Sequence, residues 1–174
     1  WIAHHAGYTP DAMAVIDLYS GRRQTYRQFN RRVDRCALFL SGLGVAKGDR
    51  VAMLAHNTSD HFEVEYACRR IGAIFLPMNW RLAVPELEFI LGDADPMVLI
   101  AGAEFVEQAT IICRTVGTRH LIDCADGADS AYERGLAATH GRAPIAPLSF
   151  DDTWALVYTS GTTGENVSAK VSHG

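Results

Sequence analysis

No apolar run in the 174 residues approaches the ~18–20 that a bilayer-spanning helix needs, so no transmembrane segment is expected. Basic residues are not in excess. Sixteen Lys and Arg stand against 20 Asp and Glu, giving a net charge of −4 and a pI near 5.9, whereas a nucleic-acid platform would be basic. The opening segment Trp1-Ile2-Ala3-His4-His5 lacks the basic-then-apolar pattern of a signal peptide. It also lacks an initiator methionine, so the numbered chain is expected to start inside a longer product. The four cysteines, Cys36, Cys68, Cys113 and Cys124, have no C-x-x-C spacing, and Cys36 and Cys113 fall on apolar helical stripes. Buried free thiols in a reducing, cytoplasmic setting are therefore expected over disulfides or metal sites. His4 and His5 are adjacent and His56 and His61 are five apart, so neither pair has the i, i+4 spacing of a helical metal site, and no metal ligand is assigned.

What remains is an ordinary globular composition, 48% hydrophobic and 21% charged, of a length that fits one domain, residues 1–174. Ala14–Leu18 and Gln24–Tyr26 read as short strands about a turn at Gly21. A helix from about Tyr26 to Leu43 places Phe29, Val33, Cys36, Ala37 and Leu40 on one face. Arg27, Arg31, Arg32 and Arg35 decorate its other faces and are expected to form a solvated surface, with an acidic-partner site as the alternative. Val51–Ala55 is a buried strand. A helix capped by Ser59 or Asp60 follows and stops at Gly72. Next come the strand Ala73–Leu76, a helix from Pro85, the strand Met97–Ile100, a helix from Phe105 to Val116 and the strand His120–Ile122. Ser130 to Thr139 has weak helical character, and the stretch to Pro147 reads as loop. Strands alternating with helices at this spacing predict an α/β fold with a mostly parallel sheet covered on both faces. Ligands of such sheets collect beyond the carboxyl ends of the strands.

At one such end stands Leu156-Val157-Tyr158-Thr159-Ser160-Gly161-Thr162-Thr163-Gly164. Its first three residues suit a buried strand. Thr159, Ser160, Thr162 and Thr163 offer hydroxyl donors, while Gly161 and Gly164 let the backbone approach a ligand with its N–H groups inward. This pattern suits a phosphate cradle, although a Ser/Thr/Gly-rich linker satisfies the bare composition too. It is not the G-x-x-x-x-G-K-[ST] loop, and no G-x-G-x-x-G occurs.

The residue order from Leu156 to Gly164, with Ser172-His173-Gly174 after it, resembles the ATP-phosphate loop of the adenylate-forming superfamily: acyl-CoA synthetases, luciferases and peptide-synthetase adenylation domains. Thr25-Tyr26-Arg27-Gln28-Phe29, Gly44-Val45-Ala46-Lys47-Gly48-Asp49-Arg50-Val51-Ala52 and Gly72-Ala73-Ile74-Phe75-Leu76-Pro77-Met78-Asn79 are similar to the same superfamily in the same order. Asn79-Trp80-Arg81-Leu82 with Pro85-Glu86-Leu87 is most similar to its fatty-acyl-CoA synthetase branch. One position departs: Val167 stands where the family places a phosphate-binding lysine, and Lys170 comes three residues later.

The resemblance implies the N-terminal part of the large domain of an adenylate-forming enzyme, incomplete relative to the family. Thr159, Ser160, Gly161, Thr162, Thr163 and Gly164 would hold the β- and γ-phosphates of ATP, with Mg²⁺ and coenzyme A as further requirements of the full-length protein. The substrate would be a small carboxylic acid. No catalytic residue is assigned, because the family's downstream motifs are not in this sequence, and homo-oligomer formation is left open. An inactive fragment of an acyl-CoA synthetase is the first expectation. A non-catalytic nucleotide- or partner-binding module of the same fold is the alternative.

Overall fold

Every apolar run read as a strand from Val51 onward joins a single sheet. The computed structural model describes residues 1–125, 129–143, 145–160 and 166–173, and the side chains of all of these but 160, 166 and 167. In chain order the elements are α1 (Ile2–Tyr8), β1 (Met13–Ile16), β2 (Arg23–Thr25), α2 (Tyr26–Gly42), β3 (Arg50–Leu54), α3 (Ser59–Ile71), β4 (Ile74–Pro77) and α4 (Val84–Ala94). They continue as β5 (Val98–Gly102), α5 (Val106–Val116), β6 (His120–Cys124), α6 (Ala131–Ala138), β7 (Thr153–Ser160) and β8 (Asn166–Ser172). The main sheet has the order β6-β5-β3-β4-β7-β8. It is parallel throughout except for β8, which pairs antiparallel with β7. The strands β1 and β2 form a separate antiparallel ribbon.

Alternation along the strands divides the core into two layers, as a period of two demands. Val51, Met53, Val98, Ile100 and Phe75 face the layer made by α2, α3 and α6, with Cys36, Leu40, Val64 and Tyr132 packed on them. Ala52, Leu54, Leu76 and Leu99 face the layer of α4 and α5, against Leu87, Ile90, Leu91 and Ile112. Val51 to Leu54 and Val98 to Ala101 are fully buried, so the centre of the sheet reads as continuous apolar runs. Each Leu or Ile sequestered there contributes about 1.5–3 kcal/mol.

Local signals fix the helix ends. Thr25 and Gln28 form a reciprocal capping box: Gln28 N–H donates to Thr25 Oγ1 (3.3 Å) and Thr25 N–H donates to Gln28 Oε1 (2.8 Å). Gly72 ends α3 in the left-handed region (φ 76°), where a Cβ would meet the Lys47 side chain at 2.9 Å. The start of α3 differs from expectation. Its N-cap is Thr58, whose side chain makes no capping bond, and Asp17 caps from outside by accepting Ser59 N–H (2.9 Å) and Ser59 Oγ–H (3.1 Å).

Two elements go beyond the sequence reading. The helix α1 is short, contains Gly7 and carries only Ile2 as a buried residue, so no apolar period announces it. The strand β8 follows directly on the glycine-rich segment and carries exposed Ser168, Ala169, Lys170 and Val171, with no run of buried residues to mark it. All four cysteines are free thiols; Cys36, Cys68 and Cys113 are buried. No described helix is long and apolar enough to cross a membrane.

Candidate functional site

Because β3 to β7 run parallel, their carboxyl ends share one edge of the sheet. There β3 gives way to Ala55-His56-Asn57-Thr58, β4 to Met78-Asn79-Trp80-Arg81, and β5 to Ala103-Glu104-Phe105. The strand β7 arrives at the same edge with Thr159 and Ser160. Its neighbour on the inner side is β4, through the pair Phe75 and Ala155. Along β7, Ala155 and Leu156 are buried on opposite faces, and the Tyr158 hydroxyl donates to Asp93 of α4. These contacts hold the strand that leads to the hydroxyl-rich segment.

Of the residues singled out from the sequence, Thr159 and Ser160 are the last two of β7, and Thr159 is exposed. Thr159 pairs with Val167 and Ser160 with Asn166, so the segment is the connection of a β7–β8 hairpin. Gly161, Thr162, Thr163 and Gly164 lie outside the described residues, as does Gly174. Val167 is thereby a residue of β8, in register with Thr159. Asn79 and Arg81 serve their own loop: Asn79 Oδ1 accepts Arg81 N–H at 3.1 Å, and the Arg81 guanidinium lies 4.1 Å over the Trp80 ring.

Beside this stands a cluster of groups that the sequence reading did not bring together. His56 Nε2 lies 2.7 Å from Glu104 Oε2, and the imidazole meets Trp80 and Phe105 edge-on at 4.5 and 5.2 Å. Beneath it a cavity of about 60 Å³ is lined by Met53, Thr58, Asp60 and Phe105, too small for an organic substrate. The signal was available, because His56 and Glu104 each follow the end of a predicted parallel strand.

Arg32 corrects the expectation of a solvated arginine face on α2. Its guanidinium donates to Glu63 and to Glu133 Oε1 (2.6 Å), while Arg22 pairs with Asp60. Glu63 is fully buried and also accepts from Gln24 Nε2 (3.2 Å) and the Tyr132 hydroxyl (3.2 Å). The network joins the β1–β2 ribbon to α2, α3 and α6. Burial pushes the carboxyls of Glu63 and Asp60 up despite Arg32 and Arg22. Burial also pushes Glu133 up, but its hydrogen bond and attraction to Arg32 outweigh that and hold it below the usual range. For Asp17 burial is outweighed by N–H donation from Ser59, Ser20 and Tyr19, which holds the carboxyl at about 2. Among the described residues no group of three or more His, Cys, Asp or Glu is arranged to hold a metal ion.

The sequence and fold are shared with known proteins. Over all 174 residues the chain is 36% identical to a feruloyl-CoA synthase from Amycolatopsis sp, covering 33% of that protein. It is 36% identical over 163 residues to the long-chain-fatty-acid–CoA ligase FadD13 of Mycobacterium tuberculosis, covering 94% of this chain and 32% of that one. The chain thus spans about a third of the length of the curated relatives it matches. The N-terminal domain of FACL13 from Mycobacterium tuberculosis, solved with an inhibitor bound, superposes with a TM-score of 0.88 at 34% identity, over 99% of this chain and 43% of that one. A parallel sheet with a hydroxyl-rich hairpin at its carboxyl edge agrees with the family model for AMP-binding enzymes, which matches residues 2–174, and the chain belongs to that family.

Proposed function

We propose that this chain supplies the ATP-phosphate-holding part of an acid–thiol ligase that converts a carboxylic acid, ATP and coenzyme A into acyl-CoA, AMP and pyrophosphate. The observation that carries the reading is the delivery of Thr159 and Ser160, at the head of a glycine-and-hydroxyl connection, to the carboxyl edge of the parallel sheet. The names of the relatives supply the rest, since feruloyl and long-chain fatty acyl groups are both carboxylic acids and both proteins are CoA-dependent.

In the reaction a carboxylate oxygen attacks the α-phosphorus of ATP and pyrophosphate departs. The coenzyme A thiol then attacks the acyl carbon and AMP leaves. The first step replaces oxide, a very poor leaving group, by AMP. The task of this chain is positioning. Hydroxyls of Thr159, Ser160, Thr162 and Thr163, with N–H groups at Gly161 and Gly164, donate to the β- and γ-phosphates and fix the triphosphate while its charge redistributes. Mg²⁺ would add charge neutralisation on the phosphates; among the described residues no group of three or more His, Cys, Asp or Glu is arranged to hold it.

The test is carboxylate-dependent exchange of labelled pyrophosphate into ATP by the full-length protein. Exchange with aliphatic or aryl acids, faster than with amino acids, is expected. Faster exchange with an amino acid, or exchange with no acid at all, would overturn the reading. One observation favours a second reading, a non-catalytic nucleotide-binding module: Val167 occupies the position of the family lysine. ATP binding without exchange would select it.

A further inference from the structure

A wide concavity lies away from the carboxyl edge. It is a groove of about 620 Å³, within the range of small-ligand sites, between α1, the face of α2 that carries Arg27, Asn30, Arg31 and Asp34, the last turn of α3, and residues near 142. Since α3 starts at the carboxyl edge and runs back, its final residues, Arg70 among them, mark the opposite edge of the sheet. The groove therefore does not belong to the phosphate-loop site.

Four guanidiniums line it, from Arg27, Arg31, Arg70 and Arg142. Two of them are committed. Arg70 donates to Asp34 Oδ1 and to Asn30 Oδ1 (2.9 Å), and Asp34 Oδ1 also accepts the Ala143 N–H (3.1 Å), which ties the outer wall to α2. Arg27 donates to Asp11 at 3.3 Å. The side chains of Arg31 and Arg142 make no hydrogen bond or ion pair among the described residues, and both residues are exposed. Four arginines against Asp34 and Asp11 leave an excess of two positive charges in the wall of a protein whose net charge is −4. On α2 the spacing of 27, 30–31 and 34 puts these groups on one face, and Ala3, Ala6 and Gly7 of α1 leave the space above them open. Guanidiniums are weakly hydrated and match the oxygens of phosphate two at a time.

We infer that this groove binds a free, phosphate-bearing small molecule carrying more than one negative charge, with Arg31 and Arg142 as its principal contacts and Arg70, held by Asp34 and Asn30, as a fixed charge in the floor. The site is independent of the ATP-phosphate reading. Neither needs the other.

Arginine-specific labelling of the full-length protein with phenylglyoxal, read by mass spectrometry, tests this with inorganic pyrophosphate as the probe. Labelling of Arg31 and Arg142 is expected to fall several-fold with pyrophosphate and to stay unchanged with sodium chloride of equal ionic strength. The double variant Arg31→Gln/Arg142→Gln touches no partnered side chain. It should lose one pyrophosphate-binding event in calorimetry while carboxylate-dependent exchange of pyrophosphate into ATP is retained. Equal protection by chloride, or an unchanged calorimetric isotherm in the double variant, would overturn the inference and leave the phosphate-loop reading standing. Loss of exchange in a Ser160→Ala variant that still shows groove protection would bear on the loop alone. Phosphatidylglycerol vesicles form a parallel arm, and protection by vesicles but not by pyrophosphate would overturn the free-ligand assignment in favour of a lipid headgroup.

Discussion

The strand β3 and the hairpin β7–β8 share one sheet and are held in opposite ways. Val51, Ala52, Met53 and Leu54 of β3 are each 0% exposed, with strands on both sides and helices on both faces. The strand β7 meets its inner neighbour through a single register pair, keeps Val157 37% exposed, and leans outward on β8, whose residues 168–172 are exposed. The chemistry proposed for this protein sits on the second, less buried part. That division is physically reasonable: a buried parallel core supplies rigidity, and segments that receive ligands are drawn from the less protected end of the structure.

Glu63→Ala removes the buried oxygens shared by Arg32, Gln24 and Tyr132 and is expected to cost about 3–5 kcal/mol of stability in chemical denaturation, because it leaves the Gln24 amide and the Tyr132 hydroxyl without that acceptor and Arg32 with only Glu133 and Asp60. Ile100→Ala in β5 should cost about 2–5 kcal/mol, whereas Val157→Ala in β7 should stay within about 0.5 kcal/mol. Equal losses at the two positions would contradict the division just drawn.

On the functional side, Val167→Lys in the full-length protein should tighten ATP binding by roughly 1.5–3 kcal/mol, one charged hydrogen bond, as read by calorimetry. An unchanged affinity would count against a phosphate cradle at this hairpin.

A smaller and pH-dependent effect than that of Glu63 concerns Asp17. Its folded carboxyl lies at about 2, below the ordinary 3.8, so its stabilisation is present above the unfolded value and is lost as pH falls from about 4 towards 2. Asp17→Asn should therefore cost about 1–3 kcal/mol at neutral pH and nothing below pH 2, in melts taken across that range. Glu63, whose carboxyl is raised by burial, has the opposite sign: its ionisation costs the folded state stability as pH rises, so Glu63→Ala is expected to cost more in acid than at neutral pH.

Most of the architecture was legible in the sequence because the strands that build the sheet centre are uninterrupted apolar runs and the helices between them carry clear apolar stripes and end signals. Thr25 to Gln28 and Gly72 act as their residue types predict. The reading stopped where structure depends on distant partners. Nothing near Arg32 in sequence indicates that Glu63 and Glu133 converge on it, so one arginine of a face spaced like a solvated one is drawn into an ion-pair network while Arg27 and Arg31 stay exposed. Nothing local tells that Asp17 caps a helix 42 residues away. The strand β8 was hidden for a related reason: it is defined by pairing with β7, and its own residues bury too little to signal a strand. Of the candidate site, the strand and the placement of Thr159 and Ser160 were legible, while the His56–Glu104 pair required the strand order to bring β3 and β5 side by side.

Hydrogen exchange of the full-length protein with and without ATP tests the central claim most directly, because it reads the hairpin peptide itself. ATP is expected to slow exchange in the peptide spanning residues 156–168 and to leave β3 and β5, already buried, unchanged. Unaltered exchange in that peptide at saturating ATP would contradict the assignment of the phosphate site to this hairpin.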